Sequence, residues 1–263
     1  MTIKLFAKFN EVYNVLAGKH PIKWDFHQTY PRFVTSLIRR YQLKDAMEMA
    51  VGGEFEAIGT LERDLLVQYG LKKDGYLIDV GCGSGRLAKP LSQYHTGKYL
   101  GIDVVPELVA YARNLVNRPD WRFEAARGLS IPEEDGKADV VCFFSVFTHL
   151  LHAQTYTYLK DAKRVLKPEG RIIFSFLEYT VQDHWNVFEL SLADVHGNRN
   201  PLHMFISRDA IEAWASHLGL KIVTIQEGDK PHIELSHPVT FKNGSVVKDK
   251  AALGQSVCVL SLK

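Results

Sequence analysis

The chain has 263 residues, enough for one large domain, and its 46% hydrophobic and 24% charged residues are an ordinary globular balance. A formal net charge of +2 favours neither nucleic acids nor acidic membranes as partners, because both usually require a concentrated basic face. Three cysteines, Cys82, Cys142 and Cys258, fit no metal-ligand spacing and are expected to be reduced. No stretch approaches the roughly 20 apolar residues that span a bilayer, so we expect a cytoplasmic protein.

The first 50 residues are dense in aromatics and are predicted to be helical but irregular. An amphipathic helix is predicted over 54–69, and we divide the chain into a helical N-terminal region, 1–70, and a main domain, 71–263. From residue 76 short apolar strands alternate with amphipathic helices. The predicted strands are 76–80, 99–103, 121–124, 140–145, 171–177, 221–226 and 256–262. The predicted helices of this part are 86–94, 106–117, 152–166 and 208–218.

This alternation predicts an α/β fold: a seven-stranded, mostly parallel, doubly wound sheet with helices on both faces. Only a loop separates the last two strands, so the final strand is expected to run antiparallel to the rest. Two segments, 178–207 and 228–255, do not follow the alternation. We expect the N-terminal region and the inserted segment 178–207 to form a cap over the ligand side of the sheet.

A glycine-rich stretch, LIDVGCGSGR, follows the first strand of the alternating region. Gly81, Gly83 and Gly85 permit a tight turn and let a ligand approach bare backbone. The helix predicted to begin near Arg86 presents free N–H groups that favour an anion such as a carboxylate. Asp103 ends the second strand, where an acidic side chain accepts hydrogen bonds from ribose hydroxyls. Together these features predict a nucleoside site.

The spacing of the glycines indicates which nucleoside. Gly81, Gly83 and Gly85 form G-x-G-x-G, whereas dinucleotide-binding folds carry G-x-G-x-x-G. Asp79, two residues before the loop, would repel a pyrophosphate and suits a cation such as the α-amino group of a methionyl moiety. The loop therefore favours S-adenosylmethionine over NAD.

Four stretches in order, LIDVGCGSGRL, YLGIDVVPELVAYAR, ADVVCFFSVFTHL and LKDAKRVLKPEGRIIFS, resemble motifs of the class I S-adenosylmethionine-dependent methyltransferases. The resemblance covers about residues 54–177. It implies an enzyme that transfers a methyl group from S-adenosylmethionine and releases S-adenosylhomocysteine.

The resemblance also implies a role for each matching position. Asp103 would hold the ribose, Val104 would pack on the adenine, and Gly85 would allow close helix packing. Phe144 and Ser145, at the end of the fourth strand, would lie near the sulfonium. The cofactor-binding residues implied in this way are Asp79, Gly81, Cys82, Gly83, Gly85, Arg86, Asp103, Val104, Arg127, Phe144 and Ser145.

One departure from the family concerns the adenine. Many relatives carry an Asp after the third strand that contacts the adenine amino group, but this sequence reads EAARGL at 124–129. Contact through the backbone or through Arg127 is expected instead.

A hydroxyl acceptor needs a base, or a metal that lowers its pKa. The candidate catalytic residues are His149, Glu178 and His184, with the loop histidines His196 and His203 as alternatives. The carboxylates that could hold a metal, Asp139, Asp183 and Asp194, are scattered in the sequence, and we predict no metal site. The aromatics of the two cap segments either line a pocket or form the cap's own core; they are Trp24, Phe26, Tyr30, Trp185, Phe188 and Phe205.

The acceptor is expected to be a small molecule, methylated at oxygen, such as a sugar or another secondary metabolite. The amino-methylating signature Asn/Asp-Pro-Pro-Tyr is absent, because residues 145–148 read SVFT. Two alternatives stay open: a tRNA or protein methyltransferase, and a protein that binds S-adenosylmethionine without catalysis. The sequence leaves the oligomeric state open.

Overall fold

The structure is a computed structural model that describes residues 26–126, 128–192 and 203–263. Predictions on Trp24, Arg127, Asp194 and His196 thus lie outside the described residues. The helices are α1 (Phe26–Arg40), α2 (Leu43–Ala50), α3 (Phe55–Gln68), α4 (Ala88–Ser92), α5 (Pro106–Val116), α6 (His152–Val165), α7 (Gln182–Leu192) and α8 (Arg208–Leu218). Among the helices of these ranges, none is long and apolar enough to cross a bilayer.

The strands form one large sheet and two small ones. The strands are β1 (Tyr76–Val80), β2 (Lys98–Asp103), β3 (Arg122–Ala125), β4 (Ala138–Phe143), β5 (Leu166–Phe176), β6 (Leu220–Gln226), β7 (Ile233–Glu234), β8 (Val239–Thr240), β9 (Val246–Val247), β10 (Lys250–Ala251) and β11 (Ser256–Leu262). Seven of them pair in the order β3-β2-β1-β4-β5-β11-β6. β11 runs antiparallel to both of its neighbours, β5 and β6, and the other pairings are parallel. This confirms the predicted seven-stranded sheet with an antiparallel last strand.

Helices cover both faces of the large sheet, as predicted for a doubly wound fold. The side chains of β1 alternate between two cores, because successive residues of a strand point to opposite faces. Ile78 lies in the core that includes side chains of α6 and α8. Leu77 lies in the core that includes side chains of α3, α4 and α5. The strand order reverses between β1 and β4, which is where ligands bind in open α/β sheets.

The described part of the N-terminal region is helical and packs beside the glycine-rich turn. Val34 of α1 and Met47 of α2 share a small core with Leu108 of α5. The Ser84 hydroxyl donates to the Met47 carbonyl at 2.8 Å, so the turn and α2 are joined directly.

Residues 228–255, which we call the strap, contain two small antiparallel sheets, β7–β10 and β8–β9. No alternation of apolar and polar residues is visible in this segment because strands of two residues are too short to show a period. The strap packs on α3: Ile233 and Val239 enter the core beneath it. Gln68 of α3 donates to the His232 carbonyl and accepts from the backbone N–H of Glu234, each at 2.9 Å.

Several element ends differ from the predicted ranges; β5, for example, begins at Leu166 and not at residue 171. Two of the differences have a local cause. β4 ends at Phe143, two residues early, because Ser145 adopts a left-handed conformation at φ 60° that an extended strand excludes. The residues before Ala88 form turns, so α4 begins two residues after the predicted helix start at Arg86.

Candidate functional site

A cavity of about 500 Å³ opens at the carboxyl ends of β1, β2 and β4. It extends from the glycine-rich turn to the first turn of α7 and to Gly254 and Gln255 of the strap. Predicted site residues that line it are Asp79, Gly81, Cys82, Gly83, Arg86, Asp103, Val104, Phe144, Ser145, His149 and His184. Gly85 and Glu178 are the described members of the predicted set that do not line it.

The glycine-rich turn depends on its three glycines for backbone conformation and for space. Gly81, Gly83 and Gly85 all have positive φ, at 79°, 53° and 91°, where other residues are strained. A Cβ at Gly83 would lie 2.5 Å from Val51 Cγ1, which is closer than carbon atoms can approach. A Cβ at Gly85 would lie 3.1 Å from Ala112 Cβ, so this glycine lets the turn pack closely against α5.

Asp103 braces the turn from the end of β2. Its Oδ2 accepts from the Gly83 backbone N–H at 3.0 Å, and its Oδ1 accepts from the Val105 N–H at 2.9 Å. Burial raises the pKa of Asp103 to about 6, although these backbone hydrogen bonds oppose the rise. Each carboxylate oxygen can accept a further bond, so the group can receive two hydroxyls from the cavity.

Asp79 is a buried carboxylate whose partners are neutral. Its Oδ2 accepts from the Tyr99 hydroxyl at 2.7 Å, and its Oδ1 accepts a weak bond from Cys142 Sγ at 3.6 Å. No Lys, Arg or His of the described residues forms an ion pair with it. Burial, and the nearby charge of Glu62, raise the pKa of Asp79 to about 7, although its hydrogen bonds and the charge of Arg86 lower it. A cationic ligand group would supply the missing counter-charge.

Arg86 is held at the edge of the cavity by protein groups. Its guanidinium pairs with the buried carboxylate of Glu62 in α3 and donates to the Val51 carbonyl that follows α2. Burial raises the pKa of Glu62, and the charge of Arg86 opposes that rise. Arg86 therefore fastens the N-terminal helices to the glycine-rich turn, a contact that sequence reasoning did not anticipate.

The end of β4 brings Phe144 and Ser145 to the cavity wall beside Val104. The left-handed backbone at Ser145 is supported by its N–H, which donates to Ser175 Oγ at 2.7 Å. Cys82 lies in the turn between the two carboxylates, and its buried thiol packs in the core below.

Glu178 follows β5 at the same edge of the sheet as Asp79 and Asp103, but its carboxylate is already paired with a protein cation, Arg208. Arg208 Nε and Nη2 donate to its two carboxylate oxygens at 2.7 and 2.9 Å, and the Ser256 and Thr180 hydroxyls donate as well. Burial alone would raise the pKa of Glu178, but these bonds outweigh it and hold the pKa below its usual value. The carboxylate thus anchors α8 and stands outside the cavity wall, so a base at Glu178 stays a prediction that this geometry does not favour.

His184 lines the cavity, but both of its ring nitrogens are used. Nδ1 accepts from the Glu178 backbone N–H at 3.0 Å. Nε2 therefore carries the proton and donates to the Gly254 carbonyl at 3.0 Å. Both ring nitrogens of His184 are therefore engaged with backbone groups, and its role as a base stays a prediction that these contacts do not favour. The ring joins α7 to β5 and to the strap.

His149 and His203 lie together at the opposite part of the cavity wall. Their ring centroids are 6.0 Å apart, and the Tyr30 ring lies 5.7 Å from His149. His203 is exposed, yet the groups that surround it desolvate its ring and lower its pKa. A neutral imidazole can accept a proton at neutral pH.

The described aromatics predicted for the cap divide into two groups. Phe26 and Tyr30 line the cavity. Trp185, Phe188 and Phe205 instead cluster with Tyr179, whose ring stacks on Phe205 at 5.0 Å, and none of them is part of the cavity wall.

In the described ranges no group of three or more His, Cys, Asp and Glu side chains comes together as metal ligands do. Asp139 lies near the start of β4 and pairs with Lys167 at 2.7 Å, so it is far along the strand from the cavity end. Asp183 of α7 does line the cavity.

Sequence reasoning missed Glu62, Tyr99 and Gln255. Glu62 is an acidic residue among the apolar side chains that α3 buries, which is a usable signal of a buried ion pair. Gln255 gave no signal because it lies in the strap, where no periodic pattern exists.

Comparison with known proteins agrees with this geometry. Residues 78–174 match the model of a methyltransferase domain. A malonyl-[acyl-carrier protein] O-methyltransferase of Geobacter sulfurreducens is 28% identical over 59% of this chain and 58% of its own length. A ubiquinone biosynthesis O-methyltransferase of Coxiella burnetii is 24% identical over 58% of this chain and 66% of its own. The chain thus spans less than two thirds of these curated relatives.

Solved structures show the same fold at low identity. A magnesium protoporphyrin IX methyltransferase from Synechocystis with bound S-adenosylhomocysteine has a TM-score of 0.58 at 16% identity, covering 90% of this chain and 96% of that one. A methyltransferase from Aquifex aeolicus that depends on S-adenosylmethionine has a TM-score of 0.54 at 18% identity, covering 88% and 97%.

Proposed function

We propose that this chain is a class I S-adenosylmethionine-dependent methyltransferase and that it methylates an oxygen of a small molecule held in the cavity. The acceptors that fit are sugars, aromatic compounds and other secondary metabolites. The observation that carries this proposal is the cavity itself: at about 500 Å³ it lies within the roughly 300–1,000 Å³ typical of small-molecule sites.

The charge of the cavity wall favours a small molecule over RNA. Arg86 is the one Lys or Arg among the described lining residues, and Glu62 already neutralises it. A site that tracks a phosphate backbone needs several unpaired cations. The names of both curated relatives, which are O-methyltransferases, support oxygen as the acceptor atom.

The residues of the turn and of two strand ends fit the cofactor. Asp79 offers a buried negative charge to the α-ammonium group, and Asp103 offers two oxygens to the ribose hydroxyls. When bound, S-adenosylmethionine supplies a methyl group already activated by the sulfonium charge. We expect the other implied contacts, from Val104 to the adenine and from Phe144 and Ser145 towards the sulfonium, to follow from the same placement.

The chain must then align the acceptor and remove its proton. Holding the acceptor oxygen in line with the methyl carbon and the sulfur supplies proximity, and a covered cavity excludes water. As the oxygen–carbon bond forms and the carbon–sulfur bond breaks, the hydroxyl proton passes to a base. We assign that role to the pair His149 and His203, because His184 and Glu178 are engaged elsewhere. The N-terminal region and residues 178–207 form the cap in this proposal.

The test has two stages. Calorimetry should show one S-adenosylhomocysteine bound per chain, and its absence would refute the proposal. Incubation with methyl-labelled S-adenosylmethionine and a fractionated small-molecule extract of the source cells should then give a labelled product of low mass. Label found only in RNA or protein, or binding with no labelled product, would favour the alternatives that the sequence left open.

A further inference from the structure

A short chain of hydrogen bonds leads from the end of β4 to the strap. The Ser145 backbone N–H donates to Ser175 Oγ at 2.7 Å, and Ser175 Oγ lies 2.6 Å from Gln255 Oε1. A backbone N–H can only donate, so the Ser175 oxygen is the acceptor of the first bond and its hydroxyl hydrogen is free for the second. The structure gives that second bond to Gln255, whose Oε1 accepts from the Ser175 hydroxyl and is thereby held towards Ser175.

With Oε1 fixed, the amide nitrogen of Gln255 has a definite direction. Gln255 is half-buried and lines the cavity. Within the ranges that the structure describes, no acceptor lies at hydrogen-bond distance from Nε2, while Oε1 is engaged. Two N–H donors are thus presented without a protein partner beside Ser145.

The backbone on either side of Gln255 is anchored. The Gly254 carbonyl accepts from His184 Nε2 at 3.0 Å, and its N–H donates to the Gly228 carbonyl at 2.9 Å. Ser256 begins β11, and its hydroxyl donates to the ion-paired carboxylate of Glu178. A side-chain donor recognises a ligand most effectively when the backbone that carries it is held in place by such hydrogen bonds.

We propose that Gln255 determines acceptor specificity by donating from Nε2 to a carbonyl or carboxylate oxygen of the methyl acceptor. This inference rests on the proposed function, because it places the acceptor next to Ser145, where the resemblance puts the sulfonium. It narrows the substrate class to oxygen acceptors that also carry a carbonyl or carboxylate group. Since Glu62 already neutralises Arg86, the Gln255 amide offers that group a neutral donor that no described protein acceptor engages.

The test compares two probes that share a ring and differ in charge, benzoate and benzylamine, on the protein saturated with S-adenosylhomocysteine. Dissociation constants are measured by ligand-observed NMR. The wild-type complex should bind benzoate at least about tenfold more tightly than benzylamine, the size expected for hydrogen bonds to a charged group. Gln255→Leu should lose that preference.

Gln255→Glu is the matched variant, because its carboxylate still accepts from Ser175 but offers no donor to the cavity. Its preference should invert, to benzylamine over benzoate, whereas a merely structural role for Gln255 would leave the preference unchanged. If Gln255→Leu does not fold, Gln255→Glu decides alone. Affinity for S-adenosylhomocysteine should stay within about threefold in every variant.

Equal binding of the two probes by the wild type, binding of neither, or a benzoate preference retained in Gln255→Glu would overturn the inference. In those cases normal binding of S-adenosylhomocysteine would leave the proposed function standing. Failure of the wild type to bind S-adenosylhomocysteine at all would refute the proposed function itself, so the two failures are distinguishable.

Discussion

Two carboxylates at the same edge of the sheet have opposite surroundings. Asp79 at the end of β1 and Glu178 just beyond β5 are 3% and 2% exposed. Asp79 has neutral partners and a pKa raised to about 7, whereas Glu178 has a guanidinium partner and a lowered pKa. A buried carboxylate whose charge the protein itself neutralises serves the fold, and one left without a cation can serve a ligand.

The largest effect on ligand binding is expected from distorting the glycine-rich turn that follows Asp79. Gly83→Val should reduce affinity for S-adenosylhomocysteine by more than about 100-fold, since it forces a strained φ and a clash with Val51. Titration calorimetry measures the loss. Gly70→Val is the matched control, because Gly70 also has positive φ but has open space around its Cα. Wild-type affinity in Gly83→Val would remove the turn from the site.

Removing the structural carboxylate should cost stability instead of affinity. Glu178→Ala leaves Arg208 and the buried Ser256 hydroxyl without their acceptor, and should lower the free energy of unfolding by about 2–3 kcal/mol. Denaturant titration checks this. Glu227→Ala, at the other carboxylate near Arg208 and more exposed, should change it by less than about 0.5 kcal/mol. Equal effects in the two variants would contradict the anchoring role.

Asp103 lies between the two extremes, since it braces the turn and faces the cavity. Asp103→Ala should weaken binding of S-adenosylhomocysteine by about 1–3 kcal/mol, the range for lost hydrogen bonds to a charged group and for the loosened turn. Calorimetry at a fixed pH measures the change. An unchanged dissociation constant would exclude Asp103 from the site.

The smallest effect concerns the stability that Asp79 costs the free protein. Its pKa is higher in the folded state than in the unfolded chain, so folding is penalised above the unfolded pKa, and fully so above about pH 7. Asp79→Asn should therefore raise the free energy of unfolding by about 1–2 kcal/mol at pH 8 and by almost nothing at pH 4. Thermal unfolding at both pH values measures the difference. If Asp79→Asn is less stable than the wild type at pH 8, protein groups must already stabilise the charged carboxylate, and the proposed penalty would be wrong.

The fold was predictable because its long strands and helices carry periodic patterns. The extents of β1, β11 and α8 agree with the predicted ranges, and the antiparallel direction of β11 was predicted because a loop and no helix connects it to β6. The strap escaped prediction because its stability comes from contacts with α3 instead of from a local period.

The candidate site was predictable where backbone conformation carries the signal, as in the glycine-rich turn, and less so where long-range pairing decides a role. Glu178 looked like a base at the end of its strand, but Arg208, thirty residues later, makes it an anchor. His184 looked like a loop histidine, and its two hydrogen bonds to distant backbone groups could not be foreseen. Hydrogen bonds and ion pairs between residues that are distant in the sequence leave no signal in a local sequence pattern.

The difference between Asp79 and Glu178 depends most directly on the proposal that Asp79 pairs with the ammonium group of the ligand. The pH dependence of S-adenosylhomocysteine binding tests this proposal. A protonated carboxyl must lose its proton to pair with an ammonium group, so a pKa of about 7 predicts that wild-type affinity falls roughly 10- to 30-fold between pH 7.5 and pH 5.5. Asp79→Asn should bind weakly throughout and lose the part of this dependence centred near pH 7. Wild-type affinity in Asp79→Asn, or a wild-type dissociation constant independent of pH over this range, would contradict the account.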